Sequence, residues 1–317
     1  MKGRSGEPRS GEQWSIAYGE QRAVIAGVGA SLRGYRAGGR DLVVPFGADE
    51  LRPAFRGVTV APWPNRVVDG SFTWNGERLQ LPLTEPSRGH ALHGCTPWLR
   101  FAGERQGPHA VVLRAVIEPQ AGYPWRIAVE TRYALGPLGL TQEVVGTNLS
   151  PEAAPYGVCP HPYLVAGAGG VDDWTLRLPA SRVLLVDEHR LVPESLAEVS
   201  VDPERFDFRE PRRIGEARID HAFTQLERGE DGRARAELRA PDGGGVAMSW
   251  GPECAWLQIH TADLADSGAH GHRAGLAVEP MSCGPDAFNH GTERNLVELA
   301  PGEAHRAEWR IEALDAS

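Results

Sequence analysis

Apolar and polar positions alternate with period two in several stretches of the chain. In the C-terminal segment HRAEWRIEAL, Ala307, Trp309, Ile311 and Ala313 fall on one side, and Arg306, Glu308, Arg310 and Glu312 on the other. Successive side chains of a strand point to opposite faces, so this pattern predicts a half-buried strand. WRIAVETRY repeats it, setting Ile127, Val129, Thr131 and Tyr133 against Arg126, Ala128, Glu130 and Arg132. Hairpin punctuation recurs as well. SFTWNGERLQL places Asn75-Gly76 between two strand-like arms, and a type I′ turn favours that pair because both central residues need φ > 0. LRAPDGGGVAMSW supplies a second hairpin around Asp242 and three glycines. Helical periodicity is nearly absent; PESLAEV, starting at Pro193, predicts one or two helical turns. No repeat of fixed period is visible. AGAGG at 166–170 reads as a loop between strands of similar character, not as a linker. The pattern predicts an all-β protein of large antiparallel sheets with few short helices. Residues 1–14 read as a disordered lead-in and 15–317 as a single domain.

Composition narrows the class. The 317 residues include 38 glycines and 25 prolines, which implies many turns, and 41% hydrophobic residues, enough for a large core. No apolar run approaches the ~18 residues that span a bilayer. The N-terminal MKGRSGEPRSGEQW has no apolar segment of its own, so it reads as neither signal peptide nor anchor. A net charge of −9 argues against nucleic acid, which clustered Lys and Arg bind. Cys95, Cys159, Cys254 and Cys283 are far apart and form no CxxC pair, so neither a disulfide framework nor a zinc knuckle is predicted. Reduced thiols in the cytoplasm are the simplest reading, with Cys283 in a packing role.

Five short stretches carry candidate chemistry. In APWPNRVVDG, Pro62 and Pro64 stiffen the approach to Asn65 and Arg66; taken alone, the plainer reading is a turn entering a hairpin with Arg66 solvated. HALHGCTPW sets His93 before a glycine, which lets backbone approach a ligand closely. In YGVCPHPYLVAG, His161 is held between Pro160 and Pro162 and followed by Tyr163, the stiffness that a positioned proton donor requires. RIDHAFTQL places Asp220 ahead of a strand-like run, where a turn-capping aspartate is the plainer alternative. LAVEPMSCGPDAFNHG carries an apolar run to Glu279 and then turns through Pro280, Gly284 and Pro285. Spacing rules do not group these residues.

Taken in order, PWPNR with the following WNG, LHG, HPY, DHAF and VEPMSCGPDAFN resemble the aldose 1-epimerase (galactose mutarotase) family, from about Ala26 to Trp309. The resemblance implies a β-supersandwich with an open sugar cleft, and interconversion of the α and β anomers of a free aldohexose such as glucose or galactose. It implies Glu279 as general base on the anomeric hydroxyl and His161 as general acid on the ring oxygen. Arg66, His93, Asp220, Asn65 and Tyr163 match substrate-binding positions, and no metal or organic cofactor is implied. The partner is then a monosaccharide, with no nucleic acid or membrane involved. Trp63, Trp98, Tyr163 and Phe288 are candidates to face a pyranose. Where the family has a second glycine after HG, this chain has Cys95. Three rival readings accompany this one. A hexose-6-phosphate epimerase would need a phosphate pocket, for which Arg56 and Arg273 are candidates. A glycosidase would use Asp220 and Glu279 on either side of a glycosidic bond. A non-catalytic sugar-binding protein would keep the aromatics and dispense with the acid–base pair.

Overall fold

The computed structural model describes residues 6–264 and 271–315. It is a strand protein with large antiparallel sheets, as the alternation predicts. A nine-stranded sheet is built around the C-terminal strand Ala304–Leu314, which lies between Gly139–Asn148 and Gly245–Trp250. Val144 faces Ala307 across one ladder and Met248 faces Ile311 across the other. Ala307, Trp309 and Ile311 are buried, as their period-two placement requires. This C-terminal strand thus joins one run of four strands to a second group of four. Asn75 and Gly76 have φ of 48° and 83° and link Ser71–Trp74 to Glu77–Gln80, the left-handed pair that the turn needs.

The second large sheet has six strands, in the order Tyr163–Leu164, Leu276–Met281, Trp256–His260, Asp220–Leu226, Ala180–Val186 and Pro193–Glu198. Its Leu276–Met281 strand is buried at every position, which leaves no polar face to solvent. PESLAEV is no helix. Pro193–Glu198 is the edge strand of this sheet, paired with Ala180–Val186, and a short 3-10 turn follows at Val199–Val201. A seven-residue stretch is too short to nucleate an isolated helix, so pairing along the neighbouring strand prevails. Both α-helices among the described residues are single turns, Pro203–Phe206 and Ala287–His290.

The N-terminal segment also differs from expectation. Residues 1–5 lie outside the described residues, but Ser10 is buried and bonds Ala48 O through both N and Oγ. The strand Gln13–Tyr18 then begins before residue 15 and pairs with Gln21–Ala26. All four cysteines are free thiols.

Candidate active site

Register builds one wall of the site. Tyr163 lies opposite Ala277, Glu279 opposite Gln258, and His260 opposite both Ala277 and Asp220. Directly opposed residues of an antiparallel pair project to the same side. Tyr163, Glu279, Gln258, His260 and Asp220 therefore share one face of the six-stranded sheet. An open cleft of about 240 Å³ lies over that face, and Asn65, Arg66, His93, His161 and Phe55 are among the other residues that line it. Glu279, His161, Arg66, His93, Asp220, Asn65 and Tyr163, the catalytic and binding candidates from the sequence, all lie on this cleft.

The loops that complete it are tied to one another by backbone. Arg66 pairs with Leu92, and His93 N donates to Asn65 O at 2.9 Å. Asn65 and His93 both adopt left-handed φ, 54° and 60°. The glycine after His93 serves this chain rather than a ligand: a Cβ on Gly94 would sit 2.2 Å from Ala61 O. Glu279 is interior to its strand, not at its end, because the strand runs on to Met281. The Pro/Gly turn beyond it fastens both neighbouring loops. Ser282 exchanges bonds with Val158, close to His161, while Asp286 N donates to Arg66 O and its Oδ1 accepts from Val68 N. Cys283 packs where Gly157 leaves room, and burial pushes its thiol up to about 12.

At the cleft floor, His161 Nε2 lies 3.4 Å from Glu279 Oε1, and both side chains are almost fully buried. The His161 ring stacks on Tyr163 at 5.4 Å and meets the His93 ring edge-on at 4.9 Å. Burial pushes the Glu279 carboxyl well above the usual carboxylate range; Asp220 adds to this and Arg66 opposes it. Burial pulls His161 down to about 3, and it drives His93 well below the ordinary imidazole value, with His161 and Arg66 contributing. Burial alone would raise Asp220, but His260 and Arg66 together hold it below its ordinary value. Burial thus raises the carboxyl and lowers the imidazole of this pair, so both shifts favour the uncharged form of each group.

Arg66 is less free than a sequence can show. Its Nε and Nη2 form a bidentate pair with Glu85 at 2.7 and 3.0 Å, and Nη2 is 4.0 Å from Asp220. Nη1 is bonded to none of the described residues and remains for a ligand. Several other polar atoms are buried without a partner: Glu279 Oε2, Gln258 Oε1 and the Nδ1 atoms of His93 and His161. Unpaired buried groups are rare in a folded protein, and these four belong to residues that line the cleft.

Glu85, Arg88, Gln258 and His260 were not singled out by sequence. Glu85 gives no signal, since only tertiary folding brings it to Arg66. Gln258 and His260 do leave one: two polar residues two apart in the apolar run WLQIH. Of the candidate aromatics, Tyr163 alone lines the cleft. Trp63 and Phe288 pack together in the core at 5.7 Å, and Trp98 is exposed beneath Arg52.

The rival readings meet specific obstacles. Arg273 is buried and bonded to Asp172, Asp263, Gly215 O and Ala217 O, and Arg56 is not on the cleft lining. Asp220 and Glu279 project from the same sheet face, whereas a glycosidase pair flanks the scissile bond. Among the described residues, the trio able to offer a metal three ligand atoms is His93, His161 and Glu279, with those atoms within 4.8 Å of one another.

Comparison with known proteins agrees with this architecture. The family model described as aldose 1-epimerase matches residues 12–312. The Escherichia coli K12 protein YihR is 35% identical over 303 residues, covering 95% of this chain and 93% of its own. An aldose epimerase homologue from C. elegans superposes with a TM-score of 0.83 at 20% identity, covering 96% of this chain and 99% of its own. Galactose 1-epimerase from Lactobacillus acidophilus gives a TM-score of 0.79 at 20% identity, covering 96% and 95%.

Proposed function

The chain belongs to the aldose 1-epimerase family, and from that premise we propose that it interconverts the α and β anomers of a free aldohexose by acid–base ring opening. The observation that carries this reading is the buried His161–Glu279 pair, 3.4 Å apart at the floor of an open polar cleft. In this reading the two side chains hold one proton between them, and the reaction needs one group to accept a proton while the other gives one. Transfer of that proton from Glu279 to His161 leaves a carboxylate beside an imidazolium. The carboxylate takes the proton of the C1 hydroxyl, and His161 Nε2 delivers its own to the ring oxygen. The C1–O5 electron pair passes to O5 as C1=O forms. Rotation about C1–C2 and the reverse proton transfers close the ring on the other face. The pair ends with the proton count it began with, so no cofactor is called for. Arg66 Nη1, Asp220, His93, Asn65 and Tyr163 hold the sugar hydroxyls in this reading.

An unphosphorylated sugar is favoured because Arg273 is fully engaged and Arg56 is off the lining. The four free thiols support a cytoplasmic setting, and the family match over residues 12–312 supports a single domain. Polarimetry on freshly dissolved α-glucose, α-galactose and their 6-phosphates tests the function. Catalysed approach to the equilibrium rotation is expected for a free sugar. No acceleration with any of the four sinks the reading, and a far higher kcat/KM for a 6-phosphate moves it to the phosphorylated class.

A further inference from the structure

Ala54 and Phe55 line the cleft together with His161 and Glu279, on a loop that is fixed at both ends and strained between them. At its start, the buried Arg52 donates to Ser31 Oγ at 2.8 Å, to Val28 O and to Pro97 O, and its guanidinium lies over the Trp98 ring at 4.6 Å. At its end, Gly57 N donates to His161 O at 2.7 Å, and Gly57 O accepts from Leu32 N at 2.8 Å. A Cβ on Gly57 would lie 2.0 Å from Leu32 O, a close approach that only glycine allows. Between these anchors, Ala54 and Phe55 both adopt left-handed backbone, with φ of 43° and 56°. Two consecutive non-glycine residues in that region are costly, and such strain persists only where the surroundings hold it.

The contacts of this loop converge on His161. Phe55 places its ring edge-on to His93, with centroids 4.8 Å apart, and 6.2 Å from the His161 ring. Arg56 holds its guanidinium over the Tyr163 ring at 5.9 Å, and Tyr163 in turn stacks on His161. Gly57 binds the His161 carbonyl, and Thr59–Val60 then pairs with Cys159–Pro160, the strand that leads into His161. Three successive residues, Phe55, Arg56 and Gly57, thus meet His161 or a ring packed on it. Phe55 is half-buried, whereas the two imidazoles beside it are almost fully buried. The phenyl ring is therefore the outer member of the cluster.

A phenyl ring has no polar atom with which to bond a hydroxyl or carry a proton; it packs, and it excludes water. Excluding water strengthens the coupling of a buried acid–base pair. Displacing a reacting group by about 1 Å can cost on the order of 10²-fold in rate. We propose that Phe55 is a positioning residue for the reaction: its ring, set by the left-handed backbone, holds the His161 imidazole against Glu279 and keeps water from the His93–His161 ring pair. This inference rests on the epimerase reading and adds to it a residue that acts only through His161.

The test replaces Phe55 with Ala, Asn and Leu and measures kcat and KM by polarimetry on α-glucose and α-galactose. Phe55→Ala and Phe55→Asn should each lower kcat by roughly tenfold or more and leave KM within about threefold. Asn accepts left-handed backbone readily, so Phe55→Asn removes the ring while keeping the course of the loop, should Phe55→Ala disturb it. Phe55→Leu restores an apolar cover and should recover kcat to within about threefold of wild type. A second readout is deuterium exchange at the histidine C2–H positions, followed by mass spectrometry. His161 should exchange several-fold faster in Phe55→Asn than in wild type, with the exposed His189 unchanged. Wild-type kcat in both variants that lack the cover, a raised KM with kcat retained, a Phe55→Leu variant as slow as Phe55→Ala, or unchanged His161 exchange would each overturn the proposal and leave the epimerase reading standing. If the wild-type protein turns over no aldose, the epimerase reading itself falls, and the exchange comparison still decides whether Phe55 covers His161.

Discussion

Glu279 and His161 have little to do with each other in the sequence and lie 3.4 Å apart in the fold. If they form the acid–base pair, replacing either removes proton transfer more than binding. Glu279→Gln and His161→Asn should each lower kcat by about 10²–10⁴-fold with modest change in KM, measured by polarimetry in both directions. Near-normal turnover by folded Glu279→Gln would make the carboxylate structural. If the pair works singly protonated, burial, which pulls His161 down to about 3, keeps it from taking a second proton in the ordinary imidazole range. The free-enzyme kcat/KM should therefore stay flat from pH 7 to about 5, without a step at the ordinary imidazole value near 6.5. A step there would show that His161 titrates normally. If Arg66 binds the sugar, Glu85 positions it: Glu85→Gln weakens the bidentate pair that aims Arg66, so KM should rise several-fold while kcat holds within about twofold. Equal losses in both parameters would contradict that role.

At the scale of elements, the site depends on short segments that brace one another. The turn after Glu279 binds Arg66 and Val68 through Asp286. Asp286→Ala should loosen the Arg66 ribbon and raise KM, with kcat less affected. Gly94→Ala tests the ribbon from the other end. Its φ of 66° alone costs an ordinary residue about 1–2 kcal/mol, and the methyl would also strike Ala61 O. Urea denaturation should show a loss at least that large; a loss under about 0.5 kcal/mol would mean that the loop relaxes freely. The edge strand Pro193–Glu198 teaches a related lesson. PESLAEV has helix-compatible residues, yet an available ladder decides its conformation, because a hydrogen-bonded neighbour outweighs weak local propensity.

For the molecule as a whole, burying ionisable groups should leave a signature in the pH dependence of stability. His161, His93 and His221 all have folded-state values below their unfolded ones, with burial the leading cause. The unfolded chain then binds more protons below pH 6.5, so their contribution is complete above that value and is lost as pH falls toward 3–4. Each such group contributes a slope of at most about 1.4 kcal/mol per pH unit. The wild-type Tm should fall between pH 6.5 and 4.5, and less steeply in His161→Asn. Glu279 acts with the opposite sign. Its folded value is raised, so stability is lost as pH climbs above the unfolded value near 4.3. Glu279→Gln should therefore have a higher Tm than wild type at pH 7, with the gap closing toward pH 4. A lower Tm for Glu279→Gln at pH 7 would count against burial of an ionisable carboxyl.

Alternation was enough to determine two strands of the nine-stranded sheet, and Asn-Gly the hairpin of a separate two-stranded ribbon, because both patterns are local consequences of backbone geometry. Ala307, Trp309 and Ile311 announced a buried face, and Asn75-Gly76 announced a hairpin. The order of five short motifs carried the family, since each motif keeps the residues that the site uses. Tertiary structure decided what those residues do to one another. Register across three ladders put Tyr163, Glu279, Gln258, His260 and Asp220 on one face, and register depends on partners remote in the chain. The pairing of Arg66 with Glu85 and the burial of the His161–Glu279 pair at the cleft floor follow from proximity in the fold. Those are properties of the folded surface, and no local stretch of sequence encodes them.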